Sequence, residues 1–261
     1  MVHHYGGTPE FVLLGGLVPE LLCSTSGIFH AGTTDVDVQV NLEIAAGATN
    51  MTRLEQALAN AEFTADRQRA WRWVTDVDGQ KAVVKFELLA DLDTAPAGAD
   101  ILFDECDQLG ATNLRGTGFA ARDFSPRLTR ARIGGVDYEV EVNVTGLSGF
   151  LLAKAAAAHG RRATKDWYDI AFVLLHNDEG GPDHAAQLVL ARFAEDLVGA
   201  TRTALDDLAA NFRIPTDQGP SAYADQMLMD HPDLDDAQLR ADALLAVSAF
   251  YRVLFATEVD G

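Results

Sequence analysis

The chain has 261 residues, and its 20 Lys and Arg against 39 Asp and Glu give a formal net charge of −19 at pH 7. So acidic a surface repels nucleic-acid backbones and anionic membrane surfaces, which argues against a general nucleic-acid binder and a membrane-surface protein. Hydrophobic residues make up 48% of the chain, and its length is ample for a real core, which excludes a disordered chain and a fold that depends on staples.

Targeting and metal-cluster signals are absent from the sequence. Cys23 and Cys106 predict neither a disulfide framework nor a metal site, and no His-x-x-x-His pattern or cysteine cluster indicates zinc. The first residues lack the basic and apolar regions of a signal peptide, and the longest apolar run, 150–158, is too short to span a bilayer. We therefore expect a cytoplasmic protein with no membrane association.

The first half of the chain predicts a mixture of strands and helices. It begins with a buried strand that starts at Phe11 and ends at Gly15-Gly16, followed by a short helix at 17–23 and a strand of alternating pattern at 35–40. A helix is predicted at 51–61, with Asn50 or Thr52 as its N-cap. Two β-hairpins follow: one joins 70–77 to 81–89 through Asp78-Gly79, and the other joins 127–133 to 136–144 through Gly134-Gly135.

The second half predicts helices alone. They cover 147–158, 165–175, 184–198, 202–212 and 235–255, with breakers at Gly160, Gly180-Gly181-Pro182, Pro215 and Gly219-Pro220. The predicted fold class is therefore α+β, a mixed sheet with flanking helices followed by an all-helical C-terminal domain, with domains at 1–145 and 146–261.

Two aspartates on one strand are the first candidate site. Because side chains two residues apart in a strand point to the same face, Asp35 and Asp37 project side by side. Adjacent carboxylates repel unless a cation lies between them, and hard oxygen ligands suit Mg²⁺. Gly15 and Gly16 have no side chains, so their backbone N–H groups can approach a phosphate. The alternative is an edge strand with two solvated aspartates.

This combination resembles the polymerase-beta-type nucleotidyltransferase superfamily, and in particular its AbiEii/MenT-like toxins of toxin–antitoxin and phage-defence systems. Eighteen residues separate Gly16 from Asp35, and Thr33-Thr34 precedes the acid pair, as a threonine commonly does in that family. The resemblance implies a nucleotidyltransferase-like sheet, and a nucleotide-binding role for Gly15, Gly16 and Thr34. The family often has serine where Gly16 stands, so one side-chain phosphate contact is missing here.

A third carboxylate is expected from a neighbouring strand. Glu87, between Phe86 and Leu88, resembles the family's acidic residue on a hydrophobic strand, although aspartate is commoner there. Glu141 is the competing candidate, but it belongs to an ordinary alternation of polar residues. We favour Glu87 as the third metal ligand beside Asp35 and Asp37.

Lys154 is a single charge within an apolar helix. Burying an ammonium without a partner costs free energy, and a bound triphosphate would be a suitable partner. The alternative is a lysine whose hydrocarbon stem lies along the core while its ammonium reaches water. The stretch resembles the family motif in which a helical lysine is followed by arginines and an Asp-containing helix; the matching residues are Arg161, Arg162, Asp166 and Asp169. Lys154 and the arginines would bind phosphates, with Lys154, Asp166 and Asp169 among the catalytic residues. Helix-dipole compensation alone could also explain Asp166.

Together these residues predict transfer of a nucleoside monophosphate from an NTP to an acceptor hydroxyl, with Mg²⁺ held by Asp35, Asp37 and Glu87. The resemblance implies tRNA as acceptor and a cognate antitoxin as partner. Only residues 111–165, with a net charge of +5, offer a basic footprint for RNA. Two alternatives therefore stay open: transfer to a small cationic molecule, as in aminoglycoside nucleotidyltransferases, and a non-catalytic nucleotide-binding or interaction protein.

Overall fold

The structure, a computed structural model, describes residues 1–33, 35–40, 48–76, 83–133 and 135–256. Two units make up the chain: a sheet unit of Met1–Val18 and Thr33–Gly146, and a helical unit of Pro19–Gly32 and Leu147–Gly261. The sequence predicts a domain boundary between residues 145 and 146. The structure divides the chain between 146 and 147 and assigns residues 19–32 to the helical unit.

The sheet unit is α+β, as predicted. Its strands are β1 (Phe11–Leu14), β2 (Asp35–Val40), β3 (Thr64–Asp66), β4 (Arg69–Asp76), β5 (Val83–Ala90), β6 (Asp100–Leu102), β7 (Gly110–Asn113), β8 (Phe124–Ile133) and β9 (Val136–Thr145). The order across the sheet is β3-β4-β5-β2-β1-β9-β8, with β7 also beside β5 and β6 beside β7. β1 runs antiparallel to β2, whereas β2 runs parallel to β5 and β1 parallel to β9, so the sheet is mixed.

The helices of this part of the chain are short apart from one. They are α1 (Val2–Tyr5), α2 (Val18–Leu22, whose first residue alone belongs to the sheet unit), α3 (Ala48–Asn60) and α4 (Gly118–Arg122). α3 begins before both N-caps that the sequence predicted, Asn50 and Thr52; these side chains bond to Glu10 and to the Glu105 carbonyl instead.

The larger buried cluster of the sheet unit lies on one face of the central strands, and a smaller one, with Leu14 and Leu89, lies on the other. Met51, Leu54 and Leu58, spaced three and four residues apart on α3, belong to the same buried cluster as Val38 and Phe86. Since alternate residues of a strand face opposite sides, this packing leaves Asp35 and Asp37 on the other face. The core therefore fixes which side of the sheet carries the acids.

Both predicted hairpins have their strands paired antiparallel. β4 pairs with β5, although its turn, with Asp78-Gly79, lies outside the described residues. β8 pairs with β9 from Phe124 opposite Thr145 to Ile133 opposite Val136. Of the predicted turn, Gly134 lies outside the described residues, and Gly135 takes a positive φ of 82°. That left-handed conformation is one that glycine adopts without steric cost.

The helical unit contains α5 (Leu147–Arg161), α6 (Thr164–His176), α7 (Gly181–Phe193), α8 (Gly199–Ala210), α9 (Gln218–Asp230) and α10 (Asp236–Leu254). The sequence predicts no helix at α9, because Gly219-Pro220 is typical of a helix breaker. The pair lies in the first turn of α9, where proline is tolerated, and a Cβ on Gly219 would lie 2.1 Å from the Phe212 ring. Within the ranges that the structure describes, no helix combines the length and hydropathy needed to cross a membrane.

Candidate active site

The strand register brings the predicted carboxylates onto one face of the sheet. Asp37 on β2 is the direct neighbour of Glu87 on the parallel strand β5, and Asp35 is the neighbour of Lys85. Residues directly opposite each other in a sheet point to the same side. Asp35, Asp37 and Glu87, the carboxylate cluster, therefore share a face, and all three side chains remain partly exposed.

Gly15 lies against this cluster. It begins a 3-10 turn, Gly15–Leu17, directly after β1, and its φ of 77° is in the left-handed region. A Cβ on this residue would lie 2.0 Å from Asp37 Oδ2, far inside van der Waals contact. Only glycine fits there, because both the backbone conformation and the approach of the carboxylate exclude a side chain. Gly16, the next residue, is also buried in the turn.

Two acids of the cluster have basic partners within the sheet. Lys85 Nζ donates to Asp35 Oδ1 at 2.9 Å, and Arg72 Nε donates to Glu87 Oε1 at 2.6 Å. Asp37 also takes part in polar interactions. Three negative charges thus lie with two positive charges on neighbouring strands, which offsets much of the repulsion between the carboxylates.

The donor atoms of the cluster are of the kind that Mg²⁺ prefers, but the three carboxylates are not arranged as a complete coordination site. Its ligating atoms are carboxylate oxygens, and Mg²⁺ in nucleotide sites is commonly held by one or two carboxylates together with substrate phosphates. The registered pair Asp37 and Glu87 meets that smaller requirement. Over the described ranges, however, no group of three or more His, Cys, Asp or Glu residues is arranged to hold a metal ion.

The structure separates the two candidates for the third acid. Glu87 lies on the strand next to β2, whereas Glu141 lies on β9, which β1 separates from β2. Glu141 accepts a hydrogen bond from the Thr8 hydroxyl at 2.7 Å.

Thr34, predicted to contact the nucleotide, lies outside the described residues. Its neighbour Thr33 accepts a hydrogen bond from the Asp35 N–H at 3.1 Å.

Lys154, Asp166 and Asp169 come together inside the helical unit. The Lys154 ammonium lies 3.0 Å from Asp166 Oδ1 and 2.6 Å from Asp169 Oδ2, and its side chain is only 8% exposed. Both aspartates on α6 are fully buried. The lysine therefore has two carboxylate partners within its own unit, so its burial requires no triphosphate, and it does not extend its head to water.

Three further groups surround these aspartates. Arg161 makes a two-bond contact with the Asp166 carboxylate at 2.6 and 2.7 Å. Lys165 and His30 both contact Asp169 Oδ1, at 3.2 and 2.8 Å. These six residues, Lys154, Asp166, Asp169, Arg161, Lys165 and His30, form the ion-pair network. Arg162 lies outside it, because its guanidinium bonds to Asp207 Oδ1 at 2.8 Å.

The charges of the network shift the pKa values of its members in the directions that keep them ionised. Burial alone would raise the pKa of Asp169, but Lys154, His30 and Lys165 hold it well below its usual range. For Asp166, Arg161 and Lys154 likewise outweigh burial and lower the pKa. Burial would lower the pKa of Lys154, yet the two carboxylates raise it. Lys154, Asp166 and Asp169 are therefore charged at neutral pH.

His30 and Lys165 are members of the network that the sequence did not predict as site residues. His30 precedes the acid pair, where it could line a pocket, but its sequence context favours an ordinary polar loop residue. In the structure its side chain is 2% exposed, and its ring stacks on Tyr168 with centroids 5.0 Å apart. No local pattern marks it, because its partners lie about 140 residues away in the chain.

Comparison with known proteins gives one fold likeness. The chain is similar over 90% of its length to the crystal structure of an antigenic nucleotidyltransferase-like protein from Paracoccidioides brasiliensis, of which it covers 84%. The TM-score is 0.41 and the sequence identity 18%. No family model matches the sequence. No curated protein matches it either. A likeness of this degree assigns neither a family nor an activity, and the AbiEii/MenT resemblance remains a hypothesis based on the motifs.

Proposed function

We propose that this protein is a nucleotidyltransferase whose active site is the carboxylate cluster on the sheet unit. The observation that carries the proposal is the strand register, which sets Asp37 beside Glu87 on the neighbouring parallel strand, with Gly15 directly against the Asp37 carboxylate. Only glycine lets the turn after β1 lie this close to the Asp37 carboxylate, so the sequence places a residue without a side chain directly against the paired acids.

The proposed reaction transfers a nucleoside monophosphate. An acceptor hydroxyl oxygen bonds to the α-phosphorus of an NTP, the bond from that phosphorus to the bridging oxygen breaks, and pyrophosphate leaves with the electron pair. The acceptor proton passes to a carboxylate of the cluster, and we propose Glu87, beside Asp37 on the neighbouring strand, for that role. Asp37 and Glu87, the pair in register, would hold Mg²⁺ together with the substrate phosphates, and when bound the ion would supply neutralisation of the triphosphate charge.

The ion-pair network receives a supporting part in this proposal. Because Lys154 already contacts two buried carboxylates, we assign it, Asp166 and Asp169 to holding α5 and α6 together. Arg161 bonds to Asp166 and Lys165 to Asp169, so we assign both residues to the same supporting role within the helical unit.

The acceptor is proposed from the motif resemblance and from charge. The resemblance favours tRNA and the biology of a toxin with a cognate antitoxin, whereas a net charge of −19 favours a small cationic acceptor. A non-catalytic nucleotide-binding protein is the second candidate function. It is favoured by the ion pairs of Asp35 with Lys85 and of Glu87 with Arg72, since both engage acids that the reaction needs.

One experiment tests activity and acceptor together. Purified protein with Mg²⁺ and each of the four α-labelled NTPs is offered total tRNA or a mixture of aminoglycosides. We expect label on one acceptor class, and a loss of about 10²–10³-fold in rate for Asp37→Asn, because such electrostatic groups commonly contribute that much. Glu141→Gln, an acid on a strand away from the cluster, is the matched control and retains activity.

The possible outcomes separate the candidates. Labelled tRNA supports the toxin-like function, and labelled aminoglycoside supports the small-molecule function. Equal transfer by wild type and Asp37→Asn would contradict the proposed site. No transfer to either acceptor, combined with NTP binding that Asp37→Asn abolishes, would favour the non-catalytic protein.

A further inference from the structure

A row of three charged side chains crosses the sheet unit at the carboxylate cluster. Arg72 on β4 lies directly opposite Glu87 on β5, and Glu87 lies directly opposite Asp37 on β2. Residues directly opposite each other in a sheet point to the same side, so all three share the face of the cluster. Glu87 therefore has a guanidinium on one neighbouring strand and a carboxylate on the other.

Arg72 bonds to one oxygen of the Glu87 carboxylate and not to the other. Its Nε donates to Oε1 at 2.6 Å, and its Nη2 lies 2.6 Å from the same atom. Among the residues that the structure describes, the one hydrogen bond to this carboxylate is the bond at Oε1. The ion pair is thus compatible with a reaction at Glu87, because Oε2 has not been taken by a donor of the sheet.

The guanidinium has a second support on its own strand. It lies over the ring of Trp71, with Arg72 Cζ 4.9 Å from the ring centroid, a distance at which a cation and an indole attract each other. Trp71 is partly buried, and Arg72 keeps only 21% of its side chain exposed. A planar guanidinium that contacts both a ring and a carboxylate has few other positions to adopt.

Glu87 needs such a support more than Asp37 does. A glutamate side chain has one more rotatable bond than an aspartate side chain, so fixing it costs more conformational entropy. The Asp37 carboxylate is confined by the close approach of Gly15. The confinement of Glu87, whose side chain is 14% exposed, comes from Arg72.

The other cation of the cluster does not have this geometry. Lys85 donates one hydrogen bond to Asp35 Oδ1 at 2.9 Å, and the two side chains are 34% and 38% exposed. An ammonium is a point charge on a flexible stem, whereas a guanidinium is a rigid planar group that binds a carboxylate in a defined orientation. Arg72 rather than Lys85 is therefore suited to fix the direction of a carboxylate.

We infer that Arg72 is a positioning residue of the candidate active site and that Trp71 holds Arg72 in place. By binding Oε1 of Glu87, the guanidinium fixes the direction of the carboxylate and leaves Oε2 for the roles proposed above for Glu87. The inference rests on the proposed function for its effect on the rate, whereas its effect on the conformation of Glu87 is independent of that function.

The test changes the two supports one at a time. Arg72→Met removes the guanidinium, Arg72→Lys keeps the charge without the planar group, and Trp71→Leu removes the ring. Arg132→Met is the matched control, because Arg132 also bonds to a carboxylate on its neighbouring strand, that of Asp137, but lies on β8 at the opposite end of the sheet. The kcat and the KM for the NTP are measured well below the Tm of each variant, and crystal structures give the conformers of Glu87.

We expect Arg72→Met to lower kcat roughly 10- to 100-fold at nearly constant KM, because misplacement of a reacting group lowers the rate more than the affinity. Arg72→Lys should show most of that loss, and Trp71→Leu a loss of roughly two- to fivefold. In a Glu87→Gln background, Arg72→Met should cause no further loss, since it acts through Glu87. Glu87 should occupy one conformer in the wild type and several in Arg72→Met.

A kcat for Arg72→Met equal to that of the Arg132→Met control would overturn the inference. Full activity of Arg72→Lys would do the same, since charge alone would then suffice. So would losses that add in the double variant, since Arg72 would then act on the substrate directly. A wild type that transfers nothing would contradict the proposed function, and the conformers of Glu87 would then decide the inference: one unchanged conformer in Arg72→Met would overturn it.

Discussion

Replacing Lys154 by methionine tests whether this lysine supports the helical unit or serves an external phosphate. Methionine retains the length of the side chain but removes the ammonium that lies 3.0 Å from Asp166 and 2.6 Å from Asp169. Both carboxylates are fully buried, so each would lose a charge partner without gaining water. Breaking a buried ion pair by removing one partner typically costs about 3–5 kcal/mol.

The contacts that remain place the cost near the lower end of that range. Asp166 keeps its two-bond contact with Arg161, and Asp169 keeps Lys165 and His30. We therefore expect a loss of about 3 kcal/mol in the free energy of unfolding. For a chain of this size that loss corresponds to a fall in Tm of about 6–12 °C.

The assay is urea and thermal unfolding followed by circular dichroism, extended to a double-mutant cycle. Asp169→Asn in the Lys154→Met background removes one buried carboxylate that has lost its lysine partner, so the double variant should be more stable than the sum of the single losses predicts, by about 1–3 kcal/mol. NTP affinity is measured well below the lowered Tm, where the fold is intact. Three results together would refute the structural role and favour the phosphate role. The losses in the cycle would be additive, the stability of Lys154→Met would lie within about 0.5 kcal/mol of wild type, and its NTP affinity would be abolished.

Three further results follow from the site and the thiols. Gly15→Ala should lower stability and displace the Asp37 carboxylate, because its Cβ would lie 2.0 Å from Oδ2; a crystal structure of the variant with Asp37 unmoved would contradict this. The pKa of Asp169 is lower in the folded protein than the ordinary 3.8, so its contribution to stability is present above about pH 4 and is lost as the pH falls below it; pH-dependent unfolding should show this loss, and Asp169→Asn should remove it. Burial raises the pKa of the Cys23 thiol to about 12 and that of Cys106 to about 11, so a thiol reagent at pH 8 should modify native Cys106 slowly and buried Cys23 more slowly still, whereas equal rates in the native protein would refute the difference in burial.

Local patterns in the sequence were sufficient to predict the main elements and one part of the site. The alternation at 35–40 predicted β2 and placed Asp35 and Asp37 on one face, because the two-residue period of a strand leaves no other arrangement. The long apolar periodicities likewise predicted α5 and α10 in nearly their observed bounds. The same local reasoning failed at Gly219-Pro220, since a breaker and the first turn of a helix share the same residues.

The partners of the charged side chains were decided by tertiary structure alone. That β5 rather than β9 lies beside β2 depends on strand order, and this makes Glu87 rather than Glu141 the neighbour of Asp37. The burial of Lys154 was visible in the sequence, but its partners on α6 were not assigned to it. His30 meets Asp169 across 139 positions. Pairing between distant segments is set by how whole elements pack, and no local periodicity records it.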